Sequence, residues 1–254
     1  MRKRMLEFLG VSQTVLLVIA LSAFVTGALH GATGLAGGVT MTAILSHIVG
    51  IKVAIAMMTC ALVFSHASRI GWYWHYTDWA IARRVLLFGL PMTAVGTLLF
   101  TVMDPQVVAL IFAGVLVLSL PIKIWARAKG IKTGPRVLAA ASSVWGLLAG
   151  NVTGPGFFLA PFLLGTGMNR LAFVGSMAII ALTMNLLKLS VFGFTEFVDA
   201  RIFTLGVFIG LVSIPANWIG KVVLKQMSDR QHALVVDGLT LLLILNFVSL
   251  ALGY

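Results

Sequence analysis

Apolar runs of bilayer-crossing length follow one another along almost the whole chain, and nothing else constrains its fold as strongly. A transmembrane helix needs about 20 mostly apolar residues. Segments that meet or approach this length lie near 11–30, 52–74, 80–100, 106–124, 136–149, 171–194, 201–223 and 231–252. Two shorter apolar pieces, 39–49 and 157–168, follow glycine-rich breaks. Only 10% of the 254 residues are charged and 60% are hydrophobic, whereas a soluble domain carries about 25% charged residues. So little polar surface cannot cover a water-facing globule. By composition the chain is an all-α integral membrane protein, which excludes a secreted disulfide scaffold, a cytosolic enzyme and a disordered tail. Cys60 is the single cysteine and has no partner in the chain.

The net charge of +11 comes from 18 Lys and Arg against 7 Asp and Glu. The basic residues gather where apolar segments end, at Arg83-Arg84 and at Lys123, Arg127, Lys129, Lys132 and Arg136. Such clusters mark cytoplasmic loops, so the charge sets topology and is not a nucleic-acid surface. Arg2-Lys3-Arg4 precedes an apolar run as in a signal peptide. Apolar spans continue to the C-terminus, however, and the run reads as a first membrane segment.

The halves repeat. At an offset of 119 residues, Gly27, Gly31 and Gly37 fall on Gly146, Gly150 and Gly156. At an offset of 124, Pro91, Gly96 and Met103 fall on Pro215, Gly220 and Met227. The offset grows because the Phe192–Ala200 connection is longer than its partner near His75–Trp79. One membrane domain is expected, with repeat one over about 8–124, a polar connection over 125–135 and repeat two over about 136–254. Duplicated halves with interrupted helices at matching places are a transporter signature.

The interruptions are Gly31-Ala-Thr-Gly-Leu-Ala-Gly-Gly38 and Gly150-Asn-Val-Thr-Gly-Pro-Gly156. Irregular backbone at membrane depth survives only inside protein or beside a water-filled cavity. A helix that stops and restarts also points free N–H groups and a positive dipole end inward, which suits an anion. Thr33, Gly34, Gly37, Gly38, Asn151, Thr153, Gly154 and Gly156 are therefore candidate substrate-lining residues. The same small residues would also serve close helix packing. Segment 11–49 is too long for one straight span, so it bends or re-enters.

The stretch Gly146–Pro161, GLLAGNVTGPGFFLAP, resembles the second-half signature of the sulfite exporter TauE/SafE family, also called the toluene-sulfonate uptake permease family. The run GALHGATGLAGGVTMT resembles its first-half twin, with Thr42 where the family often has proline. The second run has Thr153 and Phe157 where glycine is frequent. The resemblance covers essentially the whole chain. It implies a multi-pass secondary carrier of the bacterial inner (cytoplasmic) membrane, moving a small sulfur-containing anion such as sulfite or an organosulfonate. Substrate and direction differ among members.

Ionisable groups within spans are costly and usually face an interior. His66 and Arg69 share one helix face at spacing i, i+3, and at offset 119 they fall on Asn185 and Lys188. Each half thus offers a hydrogen-bonding group and a cation, an arrangement suited to a sulfonate with three acceptor oxygens. The four are the leading substrate-binding candidates. Snorkelling of both cations and plain packing of His66 and Asn185 are the competing readings. Asp237, deep in the last segment, could pair with Lys188, take part in ion or proton coupling, or sit shielded near an interface. His66 is the other coupling candidate. Asn217, just after Pro215, could line a cavity wall or pack between helices.

The histidines His30, His47, His66, His75 and His232 lack metal-ligand spacing. No nucleophile–base order, Walker loop or dinucleotide fingerprint appears. The chain is expected to be no enzyme and to hold no metal or cofactor; its partners are a small anion and the bilayer, and its oligomeric state stays open. The leading function is a secondary carrier working by alternating access, with a passive anion channel and a non-transporting scaffold as alternatives. An anion leaving a negative-inside cell gains about 2.3 kcal/mol per charge per 100 mV. Export can therefore be a uniport, whereas uptake needs a co-transported cation or proton. The basic connection 125–135 is expected in the cytoplasm and 103–106 outside. The charges between second and third spans, and between third and fourth, exchange between halves, as oppositely oriented repeats would show. That requires three full spans plus one re-entrant pair per half, 11–49 and 136–168, and places Arg2-Lys3-Arg4 outside, against the charge rule; if only 136–168 re-enters, the N-terminus lies inside and the halves lose their symmetry.

Overall fold

The computed structural model describes residues 10, 12–34, 36–128 and 132–252. Arg2-Lys3-Arg4 and Lys129 lie outside the described residues, as does part of the 125–135 connection. Among the described residues there are ten α-helices and no strand. In half one they are α1 (Gln13–Thr33), α2 (Ala36–Val49), α3 (Ile51–Tyr73), α4 (Trp79–Val102) and α5 (Pro105–Ala128). In half two they are α6 (Pro135–Asn151), α7 (Gly156–Leu164), α8 (Arg170–Phe194), α9 (Ala200–Gln226) and α10 (Asp229–Ala251). Seven are long and apolar enough to cross a membrane: α1, α3, α4, α5, α8, α9 and α10. The expected segment at 136–149 becomes the 17-residue α6.

The chain uses its scarce polar side chains to start helices. Ser12, Asp78, Asn169 and Asp199 each accept from a backbone N–H of the first turn, and Ser228 with Gln231 forms a capping box. Pro105 and Pro135 stand at first helical positions, where a missing N–H costs nothing.

Both glycine-rich interruptions turn the chain back on itself. Gly34 ends α1 at φ 79, its N–H bonded to His30 O at 2.8 Å. Gly154, at φ 66, lies between the extended Val152 and the start of α7. Left-handed backbone of this kind is costly for residues with a Cβ. The ends of each resulting hairpin lie together. Thr133 N donates to Gly165 O at 2.8 Å across the base of α6–α7, and Ser12 and Val49 line one cavity at the base of α1–α2.

The packing repeats as well. Helix α1 lies against α9 as α6 lies against α4, α3 against α9 as α8 against α4, and α2 against α10 as α7 against α5. In the first of these pairs a Cβ on Gly31 would collide with the Asn217 backbone; in its counterpart a Cβ on Gly146 would collide with the Gly89 backbone. Helices α3 and α8, equivalent by sequence offset, meet each other directly and run antiparallel. Near the end of α3, Arg69 Nη2 donates to Val174 O at 3.2 Å; near its start, Lys52 Nζ lies 5.3 Å from the Phe197 ring.

One corner departs from the repeat. Helix α2 has 14 residues and α7 only nine. At the corresponding corner of α2, Ile51, Val108, Phe112, Leu243 and Phe247 are buried, and a cavity of about 580 Å³ lies instead at the α1–α2 base, among α1, α2, α3 and α9. Around α7 a cavity of about 490 Å³ opens among α5, α7, α8 and α10.

Candidate functional site

The tips of the two hairpins meet at a cavity of about 40 Å³, room for one or two water-sized groups. His30, Gly34 and Gly38 reach it from the first hairpin, and Trp145 and Val152–Gly156 from the second. His66 enters from α3, and Asn185 and Lys188 from α8. A smaller space of about 20 Å³ adjoins it, sharing His30, Gly38 and Leu62 and carrying the hydroxyls of Thr26, Ser65 and Ser213.

Two buried cations flank the cavity. Lys188 is 2% exposed, and its Nζ donates to Ala149 O at 2.9 Å and Val152 O at 3.3 Å. These carbonyls belong to the end of α6, the negative pole of that helix. Arg69 is fully buried. Its Nη1 lies 2.6 Å from His30 Nε2 and 3.3 Å from His66 Nδ1 and donates to Gly34 O at 3.3 Å, while Nη2 donates to Val174 O. None of these partners is a carboxylate. Basic groups held out of water and answered by carbonyl and imidazole dipoles are expensive to keep charged, and an anion in the cavity would favour their charged forms.

The remaining wall is rich in donors. Trp145 Nε1 and Thr153 Oγ1 are buried without a hydrogen-bond partner, and both residues line the cavity. Helix α7 opens beside it after Pro155, with no side chain capping its first N–H groups. Ammonium, indole N–H, hydroxyl and a helix N-terminus converge here, and no carboxylate lines the space among the described residues. Such a wall suits a compact anion with several acceptor oxygens.

The sequence-derived candidates divide accordingly. His66, Asn185, Lys188, Gly34, Gly38, Thr153, Gly154 and Gly156 line the cavity. Arg69 stands behind the wall and touches it through His30 and His66. Gly37 is a packing position facing the smaller space: a Cβ there would collide with Thr26 O and the His30 backbone. The Thr33 hydroxyl donates to Leu29 O and accepts from Ala36 N, so it joins α1 to α2. Asn151 donates to Leu147 O at 2.8 Å within its own helix, against α4. Asn217 donates to Ser65 Oγ at 2.8 Å in the α3–α9 contact. Asp237 lines the separate 490 Å³ cavity and is not the partner of Lys188, whose bonds go to α6 carbonyls. Two lining residues with hydrogen-bonding side chains escaped the sequence reading, His30 and Trp145. The signal for His30 was its place inside the first glycine run; Trp145 adjoins Gly146 of the second.

No curated protein and no solved structure matches the chain. The family model described as sulfite exporter TauE/SafE matches residues 19–247, a stretch that holds both glycine-rich breaks and both buried cations, and the chain belongs to that family.

Proposed function

We propose that this chain is a secondary transporter that binds a small sulfur-containing anion, sulfite or a compact sulfonate, in the cavity between the hairpin tips and moves it by alternating access. Family membership makes it a membrane transporter of sulfur anions; the site and mechanism are our reading. The observation that carries it is the pair of buried cations, Arg69 and Lys188, held at equivalent places without a carboxylate. The antiparallel course of the equivalent helices α3 and α8 supports inverted repeats, since the axis relating them then lies across the helices, in the membrane plane. On that reading each half contributes one re-entrant hairpin and three full crossings, the basic 125–135 connection lies in the cytoplasm, and the membrane is the bacterial inner one. Asp237 and His66 remain the coupling candidates.

The test is counterflow in proteoliposomes. Internal unlabelled sulfite should accelerate entry of labelled sulfite with saturation. Entry that neither saturates nor exchanges would identify a passive channel instead, and a silent protein would return the chain to the scaffold reading.

A further inference from the structure

His30 and His66 face a shortage of acceptors. Arg69 Nη1 lies 2.6 Å from His30 Nε2 and 3.3 Å from His66 Nδ1, and the Gly38 amide nitrogen lies 3.3 Å from His30 Nδ1. A guanidinium and a backbone amide only donate. His66 Nδ1 presents its lone pair to Arg69, and His30, with a donor at each nitrogen, can accept at only one of them. Neither ring has an acceptor for a second proton: on His66 it would put N–H against the guanidinium, and on His30 it would leave both ring N–H groups against donors.

The other groups around the pair offer no relief. Lys188 lies across the cavity on α8, and Trp145 faces it from α6. On α3, the Tyr73 hydroxyl donates to Gly31 O, and Lys221 of α9 sits 5.7 Å over the Tyr73 ring. Helix α9 otherwise brings Asn217 and Ser213 to this region. Among the described residues no carboxylate lines either space. The protein thus holds two titratable rings beside a small donor-lined cavity and supplies no acceptor for their protonated form.

We propose that the anion is that acceptor, so that the cavity binds one proton on the His30–His66 pair together with each anion. This rests on the anion-site reading above. The balance is simple: one anion and one proton from water join a neutral imidazole, giving an imidazolium whose N–H donates to an anion oxygen. No covalent bond to the anion forms, and the proton returns to water when the anion leaves. Arg69 retains Gly34 O and Val174 O as acceptors while the ring it releases turns to the anion. Proton and anion raise one another's affinity by the same factor, and a monoanion moving with one proton carries no net charge across the membrane.

The experiment is titration calorimetry of the full chain with methanesulfonate and with sulfate, neither of which titrates in the imidazole range; sulfite does and would blur the result. Affinity should fall by up to about tenfold per pH unit as pH rises through that range. Heats in two buffers of different ionisation enthalpy should show close to one proton taken up per anion on the alkaline side. His30→Gln and His66→Gln should flatten the slope, while His75→Gln, at an exposed position, should not. Should the first two variants fail to fold, Lys188→Met decides: it removes the other titratable group at the cavity, so proton uptake that persists there belongs to the histidine pair and uptake that vanishes overturns the inference. Binding without proton uptake and without pH dependence would overturn the inference and leave the anion site standing. No binding of either anion at any pH would remove both.

Discussion

Lys188 and Arg69 hold their charges differently, and substitutions should separate them. Lys188 lines the cavity and its ammonium is bonded to two α6 carbonyls. Losing a charge-assisted contact costs about 1.5–3 kcal/mol, so Lys188→Met should weaken anion binding by about 10- to 150-fold. Arg69 has no place in the cavity wall and acts through two imidazoles; Arg69→Lys, which cannot serve both rings and two carbonyls from one fork, should lower the folded fraction as well as the affinity. Trp145 offers the cleaner probe. Its indole N–H is buried and unpaired, so Trp145→Phe breaks no hydrogen bond of the empty protein, though it trims a packed core side chain. Melting temperature should fall modestly from the lost packing, while affinity falls about 3- to 10-fold, the value of one neutral hydrogen bond. A loss of stability with unchanged affinity would show that the N–H does not meet the anion. The i, i+3 pairs were legible in the sequence because that spacing fixes a shared helix face. Which side of the wall each face occupies was not, because helix rotation is set by packing against distant residues. Arg69 meets His30 across 39 positions, and no local pattern encodes that contact.

At the scale of elements, the two glycine runs do different work at different positions. Gly37 permits α2 to lie on α1, and Gly37→Ala should cost folded fraction and transport together, by about 1–3 kcal/mol of overpacking. Gly154 sits at φ 66 beside the cavity; an alanine there is strained by about 1–2 kcal/mol at the hairpin tip itself. Gly154→Ala should therefore reduce transport more than it reduces the folded fraction, read by uptake against detergent-solubilised yield. Equal losses would make Gly154 a packing residue too. Nearly every helix was legible from its apolar length, because the bilayer fixes that length. The caps at Asp78, Asn169 and Asp199 follow ordinary helix-start chemistry. The roles of Thr33, Asn151 and Asn217 were hidden, since a polar residue within an apolar run reads the same whether it faces a ligand or ties two helices together.

For the molecule as a whole, inverted repeats with a cytoplasmic 125–135 connection make a prediction about the two ends of α9. With Cys60 replaced, a cysteine at Asp199 should react with an impermeant reagent from outside intact cells, and one at Lys225 should not; the reverse pattern would overturn the inverted arrangement. The unequal arms α2 and α7 bear on the same motion. Were the halves interchangeable, swapping their conformations would turn the open-in form into an open-out form of identical energy, and the idle carrier would divide its time evenly. On the alternating-access reading, the nine-residue α7 beside its void of about 490 Å³ and the 14-residue α2 with a cavity of about 580 Å³ at the α1–α2 base are not interchangeable, which removes that degeneracy. The resting carrier should therefore face predominantly one way, so that unidirectional fluxes measured from the two sides of the membrane saturate at different concentrations of the same anion.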